Sequence, residues 1–209
     1  MSSKEYFDEI APQWDTMRQS FFSEKVREKA YAVAQLEPGK LAADLGAGSG
    51  FVTEGLLARG LRVIAVDQSE AMQTETLHRF AHADGLDYRV GTAECLPIPD
   101  GSVDYAFANM VLHHVEVPIM AIREMTRILK AGGRLVITDL DEHNFDFLRA
   151  EHHDRWMGFK REDLRQWLEA AGLADVQVEC VGEDCCATSN SGNEAAQVSI
   201  FVASGKKAQ

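Results

Sequence analysis

Hydrophobic positions along the chain switch between two spacings, and the switches mark out its elements. Residues 5–35 carry Phe21, Phe22, Val26, Ala30 and Val33 at mixed three- and four-residue intervals, the period of one helical face. Pro38-Gly39 interrupts that stretch, and strands and helices alternate after it. Leu41–Leu45 is a short apolar run leading into glycine-rich sequence and a predicted helix over 50–58. Arg62–Val66 is a β-branched strand ending at Asp67, and Ser69 is placed to cap a helix over about 70–82. Tyr88–Val90 and Val103–Ala108 are the next strands. Residues 116–130 read as an amphipathic helix stopped by Gly132-Gly133, before a strong strand at Arg134–Thr138. A helix at about 161–171 ends at Gly172, and strands at about 175–181 and 196–203 complete the pattern.

Apolar strands alternating with helices imply an α/β fold, a doubly wound and mostly parallel sheet covered on both faces. The last two strands have only the polar segment 182–194 between them, so they are expected to form an antiparallel hairpin with a long, mobile loop. That places one antiparallel strand near the sheet edge. Ligands of such sheets bind beyond the carboxyl ends of the strands, where the strand order reverses.

Composition narrows the partners. At 45% hydrophobic and 26% charged the chain suits a folded domain and is too apolar for disorder. No apolar run approaches the roughly 20 residues that span a bilayer, and the opening MSSKEYFDEIAPQWD has no apolar leader core, so a cytoplasmic chain without membrane attachment is expected. A net charge of -12 repels phosphate backbones, and the basic stretches are short, so nucleic acid is not expected as a partner. Cys95, Cys180, Cys185 and Cys186 contain no C-x-x-C pair, which removes zinc-ribbon and thioredoxin readings; no metal site is expected. No heptad seam or exposed apolar stripe speaks to oligomeric state.

The informative residues fall at strand ends. The first strand runs into Asp44-Leu-Gly46-Ala-Gly48-Ser-Gly50, where glycines allow a sharp turn and close approach of a ligand to main-chain atoms. The helix that follows presents unpaired N–H groups suited to a carboxylate. A dinucleotide fingerprint starting at Gly46 would need a small residue at 51, which is Phe51, and no G-K-[ST] follows for a phosphate loop. Asp67, about 20 residues on, is placed to take a ribose diol or simply to cap the next helix. Gly91-Thr-Ala-Glu94-Cys-Leu-Pro97 follows the third strand, and Asp104-Tyr-Ala-Phe-Ala-Asn109-Met-Val-Leu-His113-His114 runs along and beyond the fourth.

In this order the four motifs resemble the class I S-adenosylmethionine-dependent (SAM-dependent) methyltransferases, particularly small-molecule and quinone-type members. The resemblance implies a Rossmann-like seven-stranded sheet over residues 39–205. It also implies SAM as cofactor, with Asp44, Gly46 and Gly48 at its methionyl part, Asp67 at the ribose diol and Gln68 and Met72 beside the adenosine. Ala93 and Glu94 would lie at the adenine, and Asn109 at the methionine end. Thr92 stands where many members have Asp, so adenine recognition is expected to fall to Glu94 or main chain. The opening Tyr6-Phe-Asp-Glu-Ile-Ala-Pro-Gln-Trp14-Asp15 resembles the N-terminal helical lid of many such enzymes, which would make residues 1–38 a lid with Tyr6 and Trp14 over the cofactor; a surface helix with incidental aromatics is the alternative.

Methyl transfer needs chiefly alignment of acceptor, methyl and leaving sulfur, and a base only where the acceptor must lose a proton. His114, His152 and His153 are the candidate bases. A helix through Glu151–Phe159 would put His152 and Trp156 on one face, and residues 141–160, following the fifth strand, are the expected acceptor-pocket insertion. Cys180, Cys185 and Cys186 suggest a soft acceptor, a thiol or an arsenical, or they are merely buried thiols. The expected partner is a small-molecule acceptor; a non-catalytic SAM-binding module is the rival reading, and a nicotinamide enzyme is set back by Phe51.

Overall fold

A computed structural model describes residues 2–209. The N-terminal stretch is three helices: α1 (Ser3–Ile10), α2 (Trp14–Phe21) and α3 (Lys25–Ala34), with a 3-10 turn at Ala11–Gln13 joining the first two. Ser2 caps α1 through a capping box with Glu5. The alternating body then runs β1 (Leu41–Leu45), α4 (Phe51–Ala58), β2 (Arg62–Asp67), α5 (Glu70–Arg79), β3 (Leu86–Val90), β4 (Val103–Asn109), α6 (Pro118–Ile128), β5 (Leu129–Leu140), α7 (Asp146–His152), α8 (Arg161–Ala170), β6 (Leu173–Thr188) and β7 (Ala195–Lys207). Ser69 does cap α5, its hydroxyl accepting from the Met72 amide at 3.0 Å.

All seven strands form one sheet in the order β3-β2-β1-β4-β5-β7-β6. The first five are parallel, and β7 enters antiparallel between β5 and β6. Two apolar clusters cover the faces. One packs α6 and α8, with Ile122, Met125 and Leu164 at full burial, against Ile64, Leu135 and Phe201; the other packs α3 and α4, with Val26 and Leu56, against Ala42, Phe107 and Val202. The order reverses between β1 and β4, so the ends of β1, β2 and β4 bring Asp44, Asp67 and Asn109 to one rim.

Three sequence expectations are corrected here. The segment 182–194 is not one long loop: β6 continues through Thr188, paired with β7 down to Ala195, and a register shift between Cys180 and Asp184 absorbs Gly182 as a bulge. Only residues 189–194 turn. The helix expected over 116–130 ends at Ile128, because Leu129 is already extended and pairs with Val103, well before the glycines. No helix runs through 151–159: α7 stops at His152, and His153 adopts the left-handed conformation with φ of 59°, which separates Trp156 from His152. Among the described residues no helix is long and apolar enough to cross a membrane.

Candidate active site

Glycine geometry shapes the rim. Gly46 and Gly48 have φ of 68° and 52°, and a Cβ on Gly46 would collide with the Val111 side chain. The turn is pinned to its neighbours: the Gly46 amide donates to the Val66 carbonyl at 2.8 Å, the Gly48 amide to Asp67 Oδ2 at 2.9 Å, and Thr76 Oγ1 to the Gly48 carbonyl at 2.7 Å. Asp67 therefore shapes the loop as well as facing the space beyond it. Its Oδ1 accepts from the Ser69 amide at 2.9 Å, and a carboxylate has about four lone-pair positions, so acceptor capacity remains.

Asp44 is 1% exposed and takes both the amide and hydroxyl of Thr53 on Oδ2, at 2.8 and 2.7 Å. Burial raises its pKa to about 6, against the opposing Thr53 hydrogen bonds and with a contribution from Asp67. Burial raises Asp67 as well. Two carboxyls in one low-dielectric cleft favour a cation there.

These residues line a cavity of about 520 Å³, a size suited to a nucleoside-sized ligand. Trp14, Asp44, Gly46, Gly48, Asp67, Gln68, Met72, Ala93, Glu94 and Asn109 all reach it. Glu94 Oε1 is occupied by the Glu116 amide at 2.8 Å, and Asn109 Oδ1 by the Thr138 hydroxyl at 2.8 Å, so both are held in place from behind. Tyr6 does not reach this cavity.

Tyr6 lines instead a smaller chamber of about 60 Å³ that shares Phe7, Trp14, Phe22, Met110 and His114 with the large one. Its hydroxyl lies 3.3 Å from His152 Nδ1, and its ring 4.9 Å from that of His153. His152, Leu148, Cys185 and Ala187 line it too, so the connection after β5 and the β6–β7 hairpin both contribute. His152 Nε2 is buried without a hydrogen-bond partner, and burial lowers that ring's pKa. Trp156 faces elsewhere, its indole donating to the Val115 carbonyl at 3.0 Å.

His113 and His114 diverge despite adjacency. His113 is buried, its Nδ1 2.6 Å from Asp139 Oδ1 and its Nε2 3.7 Å from Asp154. Burial opposes charge on this ring, but Asp139 and Asp154 outweigh it and raise the pKa to about 9. His114 is driven well below the ordinary histidine value by burial and then by cationic His113, whose ring is 4.0 Å away. His114 Nδ1 faces the His153 carbonyl at 3.4 Å, a partner that only accepts, which leaves Nε2 with the lone pair. His114 is thus a neutral imidazole at the junction of the two cavities. Asp139 and Asp154 were not singled out from sequence; an acid near the end of β5 carries the same kind of signal as Asp67 at the end of β2. The atoms of His113, His114 and Asp154 lie within 4.8 Å of one another, but a cationic His113 has no lone pair to give a metal ion, so the cluster is held by hydrogen bonds and charge.

The cysteines do not converge. Cys95, Cys180 and Cys186 are exposed, and Cys185 alone lines the small chamber, where burial and then Asp154 push its thiol up to about 12. A thiol held protonated is a poor soft-metal ligand.

Residues of the N-terminal helices line both cavities, and hydrogen bonds tie these helices to the body. Ser49 Oγ bonds Asp15 Oδ1 at 2.5 Å, Arg79 bonds Asp15 Oδ2 at 2.8 Å, and Ser69 Oγ bonds Asp8 at 2.6 Å. Phe51, the residue that breaks the dinucleotide fingerprint, lies under the Arg18 guanidinium of α2 at 3.9 Å.

Comparison with known proteins identifies the family. A family model described as a methyltransferase domain matches residues 43–137. A demethylmenaquinone methyltransferase of Thermobifida fusca is 33% identical over 167 residues, covering 78% of this chain and 69% of the relative. The bifunctional biotin-biosynthesis protein BioHC of Cellvibrio japonicus is 33% identical over 151 residues, 68% of this chain and 29% of the relative. The chain spans about a third of the length of some curated relatives and about two thirds of others. The fold of the [4+2]-cyclase SpnF superposes with a TM-score of 0.78 at 17% identity, over 100% of this chain and 97% of that one. With its motif order, rim geometry and these relatives, the chain belongs to the class I SAM-dependent methyltransferase family.

Proposed function

We propose that this chain methylates a small molecule held in the chamber beside His114. The observation that carries the reading is the junction itself: two cavities of different size and lining meet at Phe7, Met110 and His114, one suited to a nucleoside and one to a compact apolar group.

The residues present fit the cofactor. Gly46 and Gly48, both at positive φ, present main chain to the cavity, and Asp44 and Asp67 supply negative charge for a cationic ligand. Asp67 would hold the ribose hydroxyls, Asp44 the amino group of the methionyl end, and Gln68, Met72, Ala93 and Glu94 the adenosine. SAM supplies an electrophilic methyl on a positively charged sulfur. The chain's own task is alignment, for which well-oriented pairs gain roughly 7–11 kcal/mol. The neutral His114 Nε2 accepts a hydrogen bond from the acceptor and aims its attacking atom at the methyl, and Tyr6 with His152 orients it from the other wall. Of the expected lid over 1–38, Met1 lies outside the described residues; residues 2–38 serve as the lid, 39–205 as the body, and 141–160 as the acceptor-side connection. The acidic balance disfavours nucleic acid as acceptor.

The test is methyl transfer from isotopically labelled SAM into small-metabolite pools, with His114→Gln in parallel. A labelled small molecule whose formation falls in the variant by roughly tenfold or more supports a place for His114 in the acceptor site. Label in no small molecule removes the proposal; equal rates in the variant remove His114 from the mechanism.

A further inference from the structure

Five aromatic side chains close a circuit around the small chamber. The rings of Tyr6 and Phe7 lie 5.2 Å apart at 72°, Phe7 and Trp14 5.3 Å at 90°, Trp14 and Phe21 6.3 Å at 47°, and Phe21 and His152 5.3 Å at 77°. The Tyr6 hydroxyl, 3.3 Å from His152 Nδ1, completes the loop. Neighbouring walls meet at steep angles, as the sides of a box do. All five residues line the chamber and none is fully buried, so packing alone does not consume their surfaces.

The charge inside that box is one-sided. Among the described residues no Lys or Arg lines it, and its cation, His113, faces two carboxylates, Asp139 and Asp154. Asp154 is 5% exposed and lines the chamber, and among the described residues it makes no hydrogen bond; its ion-pair partner is His113 Nε2 at 3.7 Å. Burial first and Asp154 second raise both the Tyr6 phenol and the Cys185 thiol, so the field of this carboxylate reaches both walls. A desolvated carboxylate and electron-rich ring faces favour a cation.

The box also lacks a base. Burial holds His114 and His152 below the ordinary histidine pKa, and a proton placed on Asp154 would take counter-charge from His113. An acceptor that attacks through a hydroxyl or a carbon gives up a proton to a base before or during transfer. A neutral amine already has its lone pair.

We infer that the acceptor is a primary or secondary amine methylated on nitrogen, and that the box of Tyr6, Phe7, Trp14, Phe21 and His152, with the Asp154 carboxylate, receives the positive charge that transfer creates. The inference rests on the small-molecule reading above and names the class of that molecule. One N–H of the neutral amine donates to His114 Nε2, which leaves the nitrogen lone pair for the methyl carbon. The N–C bond forms as the C–S bond breaks, the electron pair of the broken bond goes to sulfur, and the positive charge passes from sulfonium to ammonium. The ammonium loses its proton to water on release. A methylated ammonium is compact and covered in C–H groups, the kind of cation that aromatic cages hold.

Binding is tested first, on the natural chain saturated with S-adenosylhomocysteine. Calorimetry compares choline with the uncharged alcohol of the same shape in which carbon replaces the nitrogen. Choline is expected to bind tighter by roughly tenfold or more; equal affinities, or no binding of choline, would overturn the inference. Phe21 lines the small chamber and not the large cavity. Phe21→Leu is therefore expected to weaken choline several-fold and to leave S-adenosylhomocysteine within about threefold of its natural affinity. Unchanged choline affinity in a folded Phe21→Leu would take the ring walls out of recognition and overturn the inference too; if that variant does not fold, the comparison on the natural chain decides. Transfer is tested by following labelled methyl from SAM into small-metabolite pools and reading the methylated atom by fragmentation. Label on nitrogen is expected. Label on oxygen, carbon or sulfur overturns the amine inference and leaves small-molecule methylation standing, whereas label in no small molecule removes that reading and the inference with it.

Discussion

Asp139 grips His113 twice, through the ring Nδ1 at 2.6 Å and through the backbone amide at 3.3 Å, and it also accepts the amides of Leu112 and Leu140. One buried carboxylate thereby ties the end of β5 to the segment after β4 and fixes the ring next to His114. Removing it strands a buried cation and three amides.

Asp139→Ala is therefore expected to destabilise the fold by about 3–5 kcal/mol, the cost of breaking a buried pair. Chemical denaturation measures it; a loss under about 1 kcal/mol would mean that the pair is dispensable.

His113 also predicts a pH profile. Its pKa is about 9 in the fold against 6.5 ordinarily. A raised histidine pKa contributes stability that is complete below 6.5 and lost as pH rises through 9. The melting temperature should fall between pH 6.5 and 9, and His113→Gln should flatten that slope. Parallel slopes would assign the effect to other groups.

Asp44 works in the opposite sense for binding. With a folded pKa near 6 against 3.8 ordinarily, the unliganded chain holds an extra proton between those values, and its stability falls as pH rises across that window. A ligand ammonium needs the ionised carboxyl, so S-adenosylhomocysteine affinity is expected to rise from pH 5 to pH 7. A flat profile in Asp44→Asn beside a rising one in the natural chain is the predicted pair of results; two identical profiles would take Asp44 out of the ammonium site.

At Gly46, alanine meets two obstacles, φ of 68° and the Val111 side chain. The strain adds about 1–2 kcal/mol and the overlap roughly 1–3 kcal/mol. Gly46→Ala should lower the melting temperature and abolish measurable cofactor binding, whereas Gly172→Ala, with φ of 90° and open space around it, should meet the strain alone and keep binding. Tight binding by Gly46→Ala would show that the turn relaxes freely.

The fold was largely legible because strand period, glycine punctuation and the Asp44 and Asp67 spacing are local signals. What was not legible depends on contacts between distant residues. Arg18 reads as an ordinary helix-surface arginine until α2 lands on Phe51. Tyr6 shares its motif with Trp14 yet faces the other cavity, because α1 and α2 are separate helices with a 3-10 turn between them. The polarity of 182–194 suggested a loop, but in an edge hairpin the alternating residues of β6 face water, and Cys185 and Ala187 face in. His153, in the left-handed conformation, ends a helix that its sequence would have continued.

The central claim is that the cavity bounded by Gly46, Gly48 and Asp67 takes the cofactor of this family. Calorimetric titration of S-adenosylhomocysteine, with NADH as control, on the natural chain and on Asp67→Ala is the most direct measurement. One saturable site for S-adenosylhomocysteine, no heat with NADH, and a loss of roughly 2–4 kcal/mol in the variant are expected. Binding of NADH in place of S-adenosylhomocysteine, or unchanged affinity in Asp67→Ala, would contradict it.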